Sequence, residues 1–172
     1  MNKKLGIKEL GRVSVEEFKT LKKNRIIVVL EDIRSFNNVG SVFRTSDAFA
    51  IEKIILTGIS PCPPHREIRK TALGASESVN WTYEHSCIET IKKYKKSGYK
   101  TYAIEQTSDS IALNDFAYNK ELIVLVFGNE VSGVSQDVID ICDSSLEIPQ
   151  FGTKHSLNIS VSCGVVLWHL VK

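Results

Sequence analysis

Two uninterrupted apolar runs, Ile26-Ile27-Val28-Val29-Leu30 and Leu122-Ile123-Val124-Leu125-Val126-Phe127, constrain the fold more than any other feature of the sequence. Neither alternates polar with apolar residues, as a strand with one wet face would, and both are short for a buried helix. Consecutive β-branched and aliphatic residues fit a strand covered on both faces, the situation of a parallel sheet flanked by helices. The same runs fall far below the roughly 18 apolar residues of a membrane span, so no transmembrane segment is expected.

Helical patterns stand between the strand-like runs. Ser14-Val15-Glu16-Glu17 has the form of a capping box, with Phe18 and Leu21 at helical spacing, and predicts a short helix to about Lys23. Val39, Val42, Phe43 and Ser46 predict a second helix, with Asn37 or Asn38 available as its cap. The alternation continues with a strand near Lys53 to Thr57, a Pro-rich loop at Ser60 to Pro64, a helix at Arg66 to Ala72 and a strand at Val79 to Tyr83. It goes on with a lysine-rich helix at Ile88 to Lys96, strands at Thr101 to Ile104 and Leu122 to Phe127, and a helical turn at Val138 to Cys142. A strand at Leu146 to Ile148 and an apolar helix at Leu157 to Val171 complete the pattern. Strands alternating with helices imply an α/β fold, a mostly parallel sheet flanked by helices. At 172 residues a single domain is expected.

Composition narrows the function classes. Four widely spaced cysteines without a secretory signal read as reduced thiols, and the lone Cys62/His65 pair lacks the second pair that a zinc site needs, so no metal is expected. With neither signal nor membrane span, the expected location is the cytoplasm. The net charge is only +2, but Met1 to Arg25 carries eight basic against three acidic residues, which marks residues 1–24 as a basic helical extension ahead of a domain over 25–172.

Parallel α/β sheets bind ligands beyond the carboxyl ends of their strands, and three such loops are unusual. They are Asn37 to Thr45, Phe127 to Gly133, and Ile148-Pro149-Gln150 with Ser156-Leu157-Asn158-Ile159-Ser160. Neither G-x-G-x-x-G nor the P-loop signature is present, which argues against a dinucleotide dehydrogenase or a P-loop enzyme. The elements N-x-G-x-x-x-R (Asn38 to Arg44), G-N-E-x-x-G (Gly128 to Gly133) and I-P…S-L-N (Ile148-Pro149, Ser156-Leu157-Asn158) resemble, in order and spacing, the SpoU/TrmH branch of the SPOUT RNA methyltransferases. One departure is Ala50, where many relatives carry glycine.

The resemblance implies a C-terminal deep trefoil knot and an enzyme that transfers the methyl group of S-adenosylmethionine to a ribose 2′-hydroxyl of RNA. It implies that the donor is held by Tyr102, Ala103, Ile104 and Glu105, by Phe127, Gly128, Asn129 and Gly133, and by Ile148, Pro149, Ser156 and Leu157. It implies a catalytic group of Asn38, Arg44, Glu130, Ser156 and Asn158, with Arg44 anchoring a phosphate next to the target ribose. Each residue has a plainer alternative. Arg44 could pair with Asp47 or Glu31, Asn38 or Ser156 could be a helix cap, and Glu130 could receive backbone N–H groups in a tight loop. A homodimer is implied as well, and the apolar faces of the last helix ask for cover on both sides. With only about 25 residues before the first strand there is no room for a separate RNA-binding domain, which favours tRNA over rRNA. The alternative is a knotted RNA-binding module without catalysis.

Overall fold

The computed structural model describes residues 1–172, apart from the side chains of Ile7 and Lys8. Seven strands form one sheet: β1 (Asn24–Glu31), β2 (Ile51–Thr57), β3 (Trp81–Glu84), β4 (Lys100–Ile104), β5 (Ile111–Ala112), β6 (Ile123–Phe127) and β7 (Ser144–Glu147). Their order is β3-β2-β1-β6-β4-β7-β5, and every pairing is parallel. The α-helices are α1 (Val15–Thr20), α2 (Phe36–Ala48), α3 (Arg66–Ala72), α4 (Ala75–Ser78), α5 (Cys87–Lys96), α6 (Gln136–Ile141) and α7 (Ile159–Val171), with short 3-10 turns at Ile7–Leu10 and Leu113–Asp115.

The two apolar runs are the sheet's central pair, with Ile26 to Leu30 in register with Ile123 to Phe127. Their side chains divide by parity. Ile26, Val28, Leu30, Ile123, Leu125 and Phe127 face a core shared with Val42, Phe43, Ile68, Cys163 and Leu167 of α2, α3 and α7. Ile27, Val29, Val124 and Val126 face a smaller core with Cys87, Ile91, Val134 and Val138 under α5 and α6. Burying each such side chain contributes about 1.5–3 kcal/mol, so cover on both faces is what makes a continuous apolar run stable here. Phe18 of α1 enters the larger core.

Several element boundaries differ from the sequence expectation, each for a local reason. α1 ends at Thr20 because Leu21 leaves the helix, and Lys23 lies over the Phe18 ring at 3.0 Å from its centroid. The cap of α2 is Ser35, whose hydroxyl accepts from Asn38 N, rather than Asn37 or Asn38. The helix α4 precedes β3 and shortens the strand anticipated at Val79. β7 starts two residues and ends one residue earlier than expected, and α7 starts at Ile159 because Asn158 caps it through Ser160 N. The two-residue β5 carries too few residues to leave a periodic signal. Ala50, the departure from the motif resemblance, adopts φ +48°, a left-handed conformation that a Cβ disfavours.

Close packing joins α2 to α3. A Cβ on Gly40 would lie 2.1 Å from Thr71 Oγ1 and 2.5 Å from the Ile68 carbonyl oxygen, so only glycine lets the helices approach this closely. The Thr71 hydroxyl also donates to the Asn37 carbonyl at 3.1 Å, and Phe36 lies against His65 with ring centroids 4.0 Å apart.

Candidate active site

β6, β4 and β7 are neighbours in the sheet, and their carboxyl ends open into one cleft of about 610 Å³. Its walls are Ile104 to Gln106 at the end of β4, Phe127 to Val134 at the end of β6, Leu146 to Ile148 with Gln150 at the end of β7, and His155 to Ile159 with Ser162 leading into α7. The apolar side is formed by Ile104, Phe127, Leu146, Ile148, Leu157 and Ile159, while Gln106, Asn129, Ser156 and Asn158 supply polar groups.

The loop after β6 is closed on itself. Asn129 and Gly133 exchange backbone hydrogen bonds of 3.0 and 2.9 Å, and the Asn129 side-chain oxygen accepts from Val131 N at 2.8 Å. Gly128 touches the far end of the same loop: a Cβ there would sit 2.1 Å from Gly133 C and from Val134 N. Glu105 braces it from β4, its carboxylate accepting from Val134 N at 3.1 Å and Gln106 N at 2.8 Å.

The loop is also tied to the turn between β1 and α2. Asn129 Nδ2 donates to the Asp32 carbonyl at 2.6 Å. Glu130 accepts from Arg34 N at 2.9 Å, Ser35 N at 3.0 Å and Asn38 Nδ2 at 2.8 Å. Asn38 Oδ1 in turn accepts from Asn158 Nδ2 at 3.1 Å, and Asn158 Oδ1 accepts from Ser160 N at 2.9 Å and Ser160 Oγ at 2.6 Å. Because Glu130 is an acceptor only, it dictates which end of the Asn38 amide faces Asn158, so the chain of polar groups has one direction. Partial burial pushes the Glu130 carboxyl up, but the bonds from Arg34, Asn38, its own backbone and Ser35 outweigh it and hold the carboxyl below its usual range.

The structure therefore brings Asn38, Glu130 and Asn158 together by direct hydrogen bonds, with Ser156 in the cleft wall. It places Arg44 elsewhere: exposed on α2, six residues beyond Asn38 and thus about 9 Å further along the helix. Among the described residues Arg44 makes no ion pair. The partners considered for it are engaged otherwise, Asp47 with Ser78 and Glu31 with Ser135 N and Oγ at 3.0 and 2.6 Å.

Of the residues anticipated for a donor, Ile104, Glu105, Phe127, Gly128, Asn129, Gly133, Ile148, Ser156 and Leu157 line the cleft. Tyr102, Ala103 and Pro149 do not; Ala103 is fully buried within β4 and Tyr102 packs on Phe116 at 5.0 Å between centroids. Gln106 lines it without having been singled out, and its Nε2 bridges two walls by donating to the His155 carbonyl at 2.7 Å. Its place directly after β4 was the available signal. Among the described residues no group of three or more His, Cys, Asp or Glu is placed to hold a metal ion, and no helix is long and apolar enough to cross a membrane.

An all-parallel α/β sheet with a cofactor-sized cleft at its strand ends, walled by glycine-closed loops, defines a ligand-binding α/β protein of the enzyme type. Residues 25–168 match the SpoU rRNA Methylase family, and the chain belongs to that family. An uncharacterized tRNA/rRNA methyltransferase of Borreliella burgdorferi is 30% identical over 156 residues, covering 91% of this chain and 67% of its own length. A tRNA (guanosine(18)-2′-O)-methyltransferase of the same organism is 27% identical over 160 residues, covering 93% of this chain and 72% of its own. Among solved structures, an AdoMet-bound rRNA methyltransferase from Sinorhizobium meliloti superposes with a TM-score of 0.79 at 22% identity, over 89% of this chain and 59% of that one. The chain thus spans between about three fifths and three quarters of the length of these proteins.

Proposed function

We propose that the protein transfers a methyl group from S-adenosylmethionine to a ribose 2′-hydroxyl of RNA. The observation that carries this reading is the junction of the family's three motif loops, where Glu130, Asn38 and Asn158 form one hydrogen-bonded line at the mouth of the cleft. The cleft suits such a donor: about 610 Å³ is within the roughly 300–1,000 Å³ typical of small-molecule sites. Its apolar wall can take a purine ring, and no backbone-to-backbone hydrogen bond occupies residues 149–157 among those described, leaving amide groups and the carbonyls other than that of His155 to read the ring's edge. Bound there, the donor would supply an electrophilic methyl on a sulfonium.

The chain's own residues hold the acceptor. Ser156 and the Asn38–Asn158 pair present polar groups that can orient a ribose hydroxyl, and Glu130 fixes the direction in which those groups donate and accept. Arg44, unpaired and exposed, is suited to a phosphate beside the target ribose, where its charge favours the oxygen as its proton leaves. The reading extends to a trefoil-knotted C-terminal region, a domain over 25–172 preceded by a basic helical extension over 1–24, tRNA rather than rRNA as substrate, and work in the cytoplasm.

It extends also to a homodimer. On α7 the large side chains Val161, Val165 and Trp168 are 51, 39 and 61% exposed, on a helix whose other face is in the core. A second copy of α7 would cover them, as the family resemblance implies.

Incubating the protein with methyl-labelled S-adenosylmethionine and RNA, then hydrolysing in alkali, tests the reaction. A 2′-O-methyl group blocks cleavage at the adjacent phosphate, so label is expected in alkali-resistant dinucleotides. Label on mononucleotide bases would overturn the acceptor assignment, and donor binding without transfer to any RNA would favour the non-catalytic module.

A further inference from the structure

The protein has six arginines, and four of them, Arg34, Arg44, Arg66 and Arg69, lie in the unit formed by the β1–α2 turn, α2 and α3. All four are exposed. Arg34, Arg44 and Arg69 make no ion pair among the described residues, and Arg66 has only a 3.7 Å contact with Glu67, its own side chain 93% exposed. The lysines of α5 are arranged differently: Lys92, Lys93 and Lys95 are engaged by Glu89, Glu84 and Asp143 at 2.9, 3.6 and 3.0 Å. Three lysines of α5 thus meet three different carboxylates, whereas on the other surface Glu67 alone faces both Arg66 and Lys70, at 3.7 and 4.0 Å, and Arg34, Arg44 and Arg69 are left open.

The open surface is rigidly connected to the cleft. Arg34 N is a donor to Glu130, and α3 is locked to α2 through Gly40, the Thr71–Asn37 bond and the Phe36–His65 contact. Guanidinium groups recognise phosphate oxygens in pairs, whereas a lysine acts as a point charge. Arg66 and Arg69 are one turn apart on α3, which sets two guanidiniums side by side.

We infer that Arg34, Arg66 and Arg69 form a phosphate-binding surface that holds the RNA backbone alongside the cleft and sets where on the strand the reaction falls. This rests on the RNA methyltransferase reading and adds to it a binding surface distinct from the motif residues.

The test compares R66A/R69A with K96A/K100A, which removes the same charge from exposed positions on and after α5. RNA affinity is measured at several salt concentrations, and donor affinity by calorimetry. For R66A/R69A the expected result is at least tenfold weaker RNA binding and a log–log salt slope shallower by about 1.4–1.8, the share of two phosphate contacts. Donor affinity should be unchanged, and K96A/K100A should bind RNA as the unsubstituted protein does. Equal losses in both variants, or none in R66A/R69A while the unsubstituted protein methylates RNA, would overturn the surface and leave the enzymatic reading standing. An unsubstituted protein that binds no RNA would overturn both.

Discussion

Asn38 and Glu130, 92 residues apart in sequence, meet through a 2.8 Å hydrogen bond from Asn38 Nδ2 to Glu130 Oε1. On the proposed reading Glu130 is a positioning residue, since its oxygens accept from Asn38 and from the amides of Arg34 and Ser35. Glu130→Gln would set an NH2 group against at least one of these donors. Turnover should fall by about tenfold or more, equivalent to about 1.4 kcal/mol of transition-state stabilisation, with donor affinity little changed. Stability should fall by about 1 kcal/mol, the low end for a lost hydrogen bond, because the carboxylate is open to water. Unchanged turnover would remove Glu130 from the mechanism.

The acid sensitivity of this network has a defined sign. The Glu130 carboxyl is held below its usual range in the folded protein, so its contribution is fully present above the unfolded-state value of about 4.3 and is lost as pH falls through the lower folded value. A pH–rate profile between about pH 6 and 9 should therefore contain no limb that disappears in Glu130→Gln. A limb that does disappear would mean that Glu130 exchanges a proton during turnover.

Gly40→Ala should cost about 1–3 kcal/mol in urea unfolding, the range for overpacking a tight contact. Adding Thr71→Ala should restore only part of it, because the new Cβ would still meet the Ile68 carbonyl oxygen at 2.5 Å. Full recovery in the double variant would place the clash on the side chain alone.

Arg44→Ala should separate binding from chemistry. The side chain is exposed and absent from the cleft wall, so donor affinity by calorimetry should stay within about twofold while most turnover on RNA disappears. Parallel losses of donor affinity and turnover would put Arg44 at the donor instead.

Sedimentation of the unsubstituted protein should give twice the 19.2 kDa chain mass, and V165E/W168E should give a single chain with intact secondary structure. Both side chains lie outside the buried core, Trp168 reaching only the Phe49 ring at 6.2 Å between centroids, so the substitution should disturb association more than folding. A dimer that survives it would move the interface off α7.

What the sequence disclosed followed from how locally each feature is encoded. The central strands were legible because Ile26 to Leu30 and Ile123 to Phe127 each carry the whole of their two-sided burial in one short run. The cap of α1 was legible for the same reason, Ser14 and Glu17 being three residues apart. The cap of α2 was misplaced because three polar residues, Ser35, Asn37 and Asn38, compete within one turn, and Asn38 is drawn away by Glu130 from a distant strand end. The position of Arg44 was out of reach in the same way. Motif spacing names the residue, but the packing of α3 and α7 around α2 decides which of its faces meets solvent.

The sheet order carries a consequence for how the chain reaches this state. Pairing of β1 with β6 joins Ile26 to Ile123 across more than half the chain. Until β6 has been synthesised, the half-sheet β3-β2-β1 has a bare edge of five residues, Ile26 to Leu30, with unpaired backbone groups and apolar side chains on both faces. Such an edge templates pairing with other chains, and closing a loop of that length slows the step that removes it. Biogenesis is therefore the vulnerable interval of this protein, and fragments that stop short of Phe127 should aggregate rather than fold.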